Sequence, residues 1–207
     1  MTDQEFEAAL VDAAFALGAQ AGWLRVSPAA AARHAGLDLA QARSLFPCGG
    51  TILRKFGRQA DAAALSHVAA DGSVRDKLFD SLLRRYDYLQ PRRAGVLALM
   101  RVLPLCPPLA LAMAEMNLTS MGWLLENAGV DATGIGGALK KRGLLAVWLY
   151  GLRAWAQDES PDLTATMAAV DKALARAEDM VQRRSPAPAP SPPVQPEPPA
   201  PEDTVIP

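Results

Sequence analysis

The sequence predicts an all-α protein of about nine helices, in which a small head ending in a helix-turn-helix precedes a larger apolar body. Three observations carry this. Half of the 207 residues are hydrophobic but only 6% are aromatic, and Ala and Leu dominate while β-branched runs are nearly absent. That composition suits helices packed through small side chains. Apolar residues recur at helical spacing in segments bracketed by Ser, Thr, Asp, Pro and Gly, the residues that start and stop helices. A glycine-containing turn also separates two short helical segments within the first fifty residues, the pattern of a helix-turn-helix.

The first helix is expected over residues 2–20, with Thr2 as its cap and Phe6, Leu10, Ala13 and Leu17 recurring on one face. Gly22 ends it and Trp23 plugs the junction. Ser27 followed by Pro28, a cap and then a first-turn proline, opens a short second helix that reaches His34. Gly36 makes the turn. Asp38 caps a third helix over residues 39–46, which Pro47 and Gly49-Gly50 are expected to stop. From Thr51 a fourth helix carries Ile52, Phe56, Ala60 and Ala63 on one face until Asp71-Gly72 and links head to body. The body offers helices at 74–90, 91–103, 107–128, 138–158 and 161–184. The expected division is a helix-turn-helix head over 1–50, a helical ligand-binding and dimerisation body over 51–184, and a tail over 185–207. The tail is rich in Pro and Ala, with too few large apolar residues to build a core; it reads as a disordered or polyproline-like solubilising segment.

A formal net charge of −1 provides no global field toward nucleic acid, so any such contact must be local. The acidic opening residues carry no basic-then-apolar signal, and Cys48 and Cys106 lie far apart. Together these point to a cytoplasmic protein with reduced thiols, both expected to be small buried fillers. Residues 94–113 approach the length of a membrane span, but Arg101, Pro104, Pro107 and Pro108 interrupt them. Two helices meeting at a corner fit better, and no membrane span is expected.

Gly22-Trp23 at the end of the first helix, Ala35-Gly36 in the turn and Phe46-Pro47 closing the third helix together resemble the TetR family of one-component regulators over residues 1–65. Arg43 stands where that family usually has an aromatic that touches phosphate, and Gly49 where it has a lysine opening the fourth helix. A second likeness is to the ubiquinone-biosynthesis accessory proteins, which share the TetR fold but bind lipid. It rests on Phe46-Pro47-Cys48-Gly49-Gly50, and on Gln157-Asp158-Glu159-Ser160-Pro161-Asp162 with Thr166.

For the head, the resemblance implies double-stranded DNA as a partner. Gln41, Arg43 and Ser44 of the third helix could meet base edges and phosphates, with Arg25, Arg33, Arg54, Lys55 and Arg58 around them. Asp3, Glu5, Glu7, Asp12 and Asp38 nearly cancel those cations, so a head that only packs stays open as an alternative. His34 could contact DNA or cap the end of its helix, and capping is the reading adopted.

For the body, the resemblance implies a cavity for a hydrophobic small molecule or lipid, lined by Tyr86, Met100, Met113, Met116, Trp123 and Trp148. The same residues could equally fill an ordinary core. It also implies a homodimer formed by the last two helices through Leu144, Leu152, Trp155, Met167, Val170 and Leu174, unless those stripes face their own body.

No enzyme is indicated. His34, His67 and the two cysteines show no metal-ligand spacing, and nothing places a nucleophile beside a base, so neither metal nor cofactor is expected. Gly134-Ile135-Gly136-Gly137 lacks the Lys-Ser/Thr of a phosphate loop and reads as a helix start. Asp158, Glu159 and Asp162 are placed at a corner between helices, where acids favour the following N-terminus. The function expected is a ligand-responsive DNA-binding regulator; the alternative is a lipid- or quinone-binding accessory protein of ubiquinone biosynthesis whose head no longer binds DNA.

Overall fold

A computed structural model describes residues 1–66 and 72–184. The described residues form nine α-helices: α1 (Asp3–Ala21), α2 (Pro28–His34), α3 (Leu39–Leu45), α4 (Gly49–Leu65), α5 (Val74–Leu89), α6 (Arg93–Val102), α7 (Pro107–Asn127), α8 (Gly134–Gln157) and α9 (Thr164–Arg184). Single 3₁₀ turns follow α1, α5 and α6. The expected positions of His67 and of the Pro-rich tail lie outside the described residues.

The caps act as the sequence suggests. Thr2 accepts from the Glu5 amide while Glu5 reaches back to the Thr2 amide, closing a capping box. Ser27 accepts from Ala30 and Asp38 from Gln41 at the starts of α2 and α3. Ser73 and Asp76 form a second capping box on α5.

Four boundaries differ from expectation. Gly49 and Gly50 are the first turn of α4, not the stop of α3; the chain has already left the helix at Phe46 and is extended at Cys48. α4 closes at Leu65, and residues 67–71 are outside the described part. α8 starts at Gly134, earlier than its periodicity shows, because Gly134 supplies a φ of 61° beside Thr133. Pro161 and Asp162 form a turn, and α9 opens only at Thr164.

α1 is the pivot between head and body. Its Phe6, Leu10, Ala14 and Phe15 are buried, with the Phe15 ring tilted against Phe56 of α4 at 4.1 Å and edge-on to Trp23 at 4.9 Å. α6 lies directly on α1: a Cβ at Gly95 would collide with the Phe15 backbone, so only glycine permits this approach. The Trp23 indole N–H donates to the Gly95 carbonyl at 2.7 Å, and Arg92 pairs with Asp12 across the same joint. Residues 94–113 are two helices meeting at the corner over Leu103–Leu105, and among the described residues no helix is long and apolar enough to cross a membrane.

Candidate nucleic-acid interface and body centre

α2 and α3 meet at the Gly36 turn, and the start of α2 and one side of α3 border a shallow cleft of about 250 Å³. Ser27, Pro28 and Ala29 line one wall; Leu39, Ala42, Arg43 and Phe46 line the other. Arg43 and Ser44 are exposed, but each is tied back: an Arg43 Nη1 N–H donates to the Pro47 carbonyl at 2.7 Å, and the Ser44 hydroxyl to the Gln41 carbonyl at 2.9 Å. Arg25, Arg33, Arg54 and Arg58 are also exposed.

Two residues expected at DNA are engaged inside the head. Gln41 donates its amide to Asp3 of α1 at 2.9 Å. Lys55 is half-buried, pairs with Glu7 and lies 4.9 Å over the Phe46 ring, so its charge is spent on joining α4 to α1 and α3. His34 is exposed and caps nothing; the amides of Ala35, Gly36 and Leu37 take the last carbonyls of α2. Cys48 is exposed at the first turn of α4, not a buried filler, and its hydrogen bond with Thr51 holds the thiol below its ordinary range.

In the body, two of the expected cavity-lining residues, Tyr86 and Trp148, come together, and they do so as packed core. Tyr86 is fully buried and stacked on Trp148 at 4.4 Å, and its hydroxyl donates to the Trp148 carbonyl at 2.7 Å. Burial raises that phenol well above its ordinary range. The stack fills the centre it was expected to line. Trp123 is 61% exposed, on the outside of α7. Met100, Met113 and Met116 are half-buried at the margin of the core. A cleft of about 320 Å³ opens instead between α1 and α6, beside the Asp12–Arg92 pair.

Beside the Tyr86–Trp148 stack lies a polar group of residues that the sequence analysis did not single out. Arg85 of α5 is only 4% exposed, with its guanidinium 4.7 Å over the Trp148 ring. Its Nη2 donates to Asn117 Oδ1 at 3.2 Å and to Ser120 Oγ at 3.3 Å, both on α7. Nη1 stands 3.3 Å from Asp61 Oδ1 of α4 as an ion pair, without hydrogen-bond alignment. The Ser120 hydroxyl donates to the other Asp61 oxygen at 2.7 Å. Arg85 Nε and Nη1 and Asp61 Oδ1 have no hydrogen-bond partner, and burial depresses the guanidinium below its ordinary range.

The expected dimer stripe is largely core. Leu144, Trp155, Val170 and Leu174 are at most 5% exposed within the single chain, so they pack into its own body. Trp155 donates its indole N–H to Gln90 at 2.8 Å, while Arg93 caps its carbonyl and stacks on its ring. Gly151 lets α8 approach: a Cβ there would strike the Tyr86 hydroxyl and come within 2.8 Å of Val170. Leu152 and Met167 are half-buried, and the open side of α8 carries Ile135, Leu139, Leu149 and Tyr150 instead.

The Gln157–Asp162 string forms the corner from α8 to α9. Buried Asp158 accepts from the amide and hydroxyl of Ser160 and from the amide and hydroxyl of Thr166, the last two at 2.8 Å. These bonds outweigh the burial of the carboxylate and hold it well below the ordinary carboxylate range. The corner is a hairpin clamp with all of its acceptors used. Among the described residues no group of His, Cys, Asp and Glu is placed to hold a metal ion.

No protein-family model matches the chain, and no curated protein does. Solved structures do. A TetR transcriptional regulator from Nitrosomonas europaea ATCC 19718 superposes with a TM-score of 0.66 at 21% identity, over 84% of this chain and 98% of that one. A TetR transcriptional regulator from Rhodococcus sp. RHA1 gives 0.60 at 16% identity, over 85% and 97%. A tetR-family transcriptional regulator from Streptomyces coelicolor gives 0.57 at 17% identity, over 88% and 89%. The chain has the TetR-like fold along most of its length.

Proposed function

We propose that the protein is a homodimeric, DNA-binding transcriptional regulator whose body responds to an apolar effector. The observation that carries this reading is the face of the head on which exposed Arg43 and the start of α2 border one cleft, with Ser44 next to Arg43 on α3. A guanidinium suits a phosphate, and exposed α3 side chains suit base edges. The solved structures sharing the fold bear the names of regulators, which supports the same reading. A two-fold dimer through the open sides of α8 and α9 would set two heads on two half-sites.

The deciding experiment is fluorescence-polarisation binding to random and upstream-region duplexes at low and moderate salt. Regulation predicts selective binding that weakens with salt and is abolished in Arg43→Glu; retention of binding by that variant removes α3 from the mechanism.

A lipid- or quinone-binding accessory protein with an idle head is the second reading. Its specific support is that acids of α1 hold both Gln41 and Lys55. It predicts no duplex binding at low salt and a hydrophobic molecule co-purifying with the protein; repeatedly empty extracts by mass analysis would end it.

A further inference from the structure

We infer that Arg85 is the receptor for the carboxylate of an amphipathic acid, and that this ligand binds by taking the place of Asp61. The inference deepens the reading of the body as an effector domain and rests on it. Arg85 is permanently charged, buried and under-used: two of its nitrogens lack an acceptor, while Asn117, Ser120 and the Trp148 ring fix its plane. A planar fork with free N–H groups matches one kind of anion best, a carboxylate able to accept two parallel bonds. Asp61 already brings a carboxylate to this position, but one of its oxygens accepts from Ser120 and the other stands 3.3 Å from Nη1 without alignment, so it makes no two-bond pair with the guanidinium.

Access and chemistry of the remaining ligand follow from the same helices. The Asp61 side chain is 17% exposed and that of Arg85 5%, while the atoms that face each other, Asp61 Oδ1 and Arg85 Nη1, are buried, so a ligand reaches the guanidinium only by displacing Asp61. Met113 and Met116 lie on the α7 face that carries Asn117 and Ser120, one turn nearer its start, and are half-buried. An apolar chain would lie along these two adaptable thioethers while the acid reaches Arg85.

Displacement of Asp61 also supplies a route to the head. Asp61 is the acidic tie between α4 and the helices that hold Arg85 and Ser120, and the same α4 carries Lys55 to Glu7 and Phe46. A ligand that takes over Arg85 releases α4 from this tie, so it prefers the conformation in which α4 has moved; that preference is what coupling requires.

The test uses the full chain without DNA, titrated with dodecanoate below its micellar range and with dodecanol as the neutral control. Binding is followed calorimetrically and by intrinsic tryptophan fluorescence, to which Trp148 under the guanidinium contributes. Dodecanoate should bind, and dodecanol about 10- to 100-fold more weakly, the range expected from loss of a charge-assisted hydrogen bond. Arg85→Gln should weaken dodecanoate by a similar factor and leave dodecanol unchanged. Asp61→Asn removes the competing charge and should tighten dodecanoate; it keeps the test valid if the Arg85 variant fails to fold. No dodecanoate binding, equal binding of acid and alcohol, or no gain in Asp61→Asn overturns the inference. Acid-selective binding by a protein that ignores every duplex would leave this site intact while removing the regulator reading.

Discussion

Trp23 offers the sharpest test of how the head is mounted. Its indole lies against Gly18, edge-on to Phe15, and donates a buried hydrogen bond to the Gly95 carbonyl at 2.7 Å. Trp23→Phe keeps an aromatic ring but removes the donor, leaving that carbonyl buried and unpaired, at a cost of about 1–3 kcal/mol. The smaller ring also leaves unfilled space, worth about 1 kcal/mol more after partial relaxation. The sum is about 3 kcal/mol, which for a chain of this size lowers Tm by roughly 6–12 °C. Urea and thermal unfolding, followed by far-UV circular dichroism, measure both quantities. The variant should bind ligands in the body normally if it remains folded at the assay temperature. A loss under about 0.5 kcal/mol would refute the argument, because it would mean that the Gly95 carbonyl finds water and that α6 does not seal the first helix.

Other consequences can be checked with the same tools. Gly151→Ala places a methyl group against the Tyr86 hydroxyl and Val170, and should destabilise the body by about 1–3 kcal/mol by overpacking, read by urea midpoint. Tyr86→Phe removes the bond to the Trp148 carbonyl and should cost about 1–3 kcal/mol while leaving the ring stack in place. Asp158 has a folded-state pKa below its unfolded value, so its stabilisation is fully present above about pH 4 and is lost as pH falls below it. Asp158→Asn should therefore be less stable than the parent at pH 7, with the difference shrinking toward pH 3 in parallel denaturation series. Leu149→Arg, on the open side of α8, should convert a dimer to a monomer in light scattering without lowering the unfolding midpoint of the isolated subunit.

The sequence made the helix starts legible because caps are local chemistry: Thr2, Ser27 and Asp38 each bond the amide three positions on, and nothing distant is needed. Gly49 and Gly50 were misread for the converse reason. Glycine is common just beyond a helix, but here Phe46, Pro47 and the extended Cys48 had already ended α3, so the pair fell inside the next first turn. The body stripes were legible as apolar but not as inward or outward. α8 carries large apolar residues on several faces, and periodicity cannot say that Trp155 and Leu144 are core while Leu149 and Tyr150 are exposed. The polar centre left less signal still. Arg84 and Arg85 are adjacent and chemically identical, yet Arg84 reaches out to the Ser66 carbonyl whereas Arg85 is buried against Trp148. Only packing distinguishes them, and Asp61 and Ser120, its neighbours, come from other helices.

The contact of α1 with α6 restricts how the head can answer any event in the body. Phe15 against Gly95, the Trp23–Gly95 bond and the Asp12–Arg92 pair clamp α1 along the side of α6, while α4 enters the head from another side through Lys55 and Phe56. The head is therefore hung at two points, one a fulcrum and the other a push-rod. Sliding it bodily would tear the fulcrum; displacing α4 can only tilt it. In the proposed dimer, a tilt of each head would change the distance and angle between the two α3 helices, with α1 and α6 as the arm that sets the leverage.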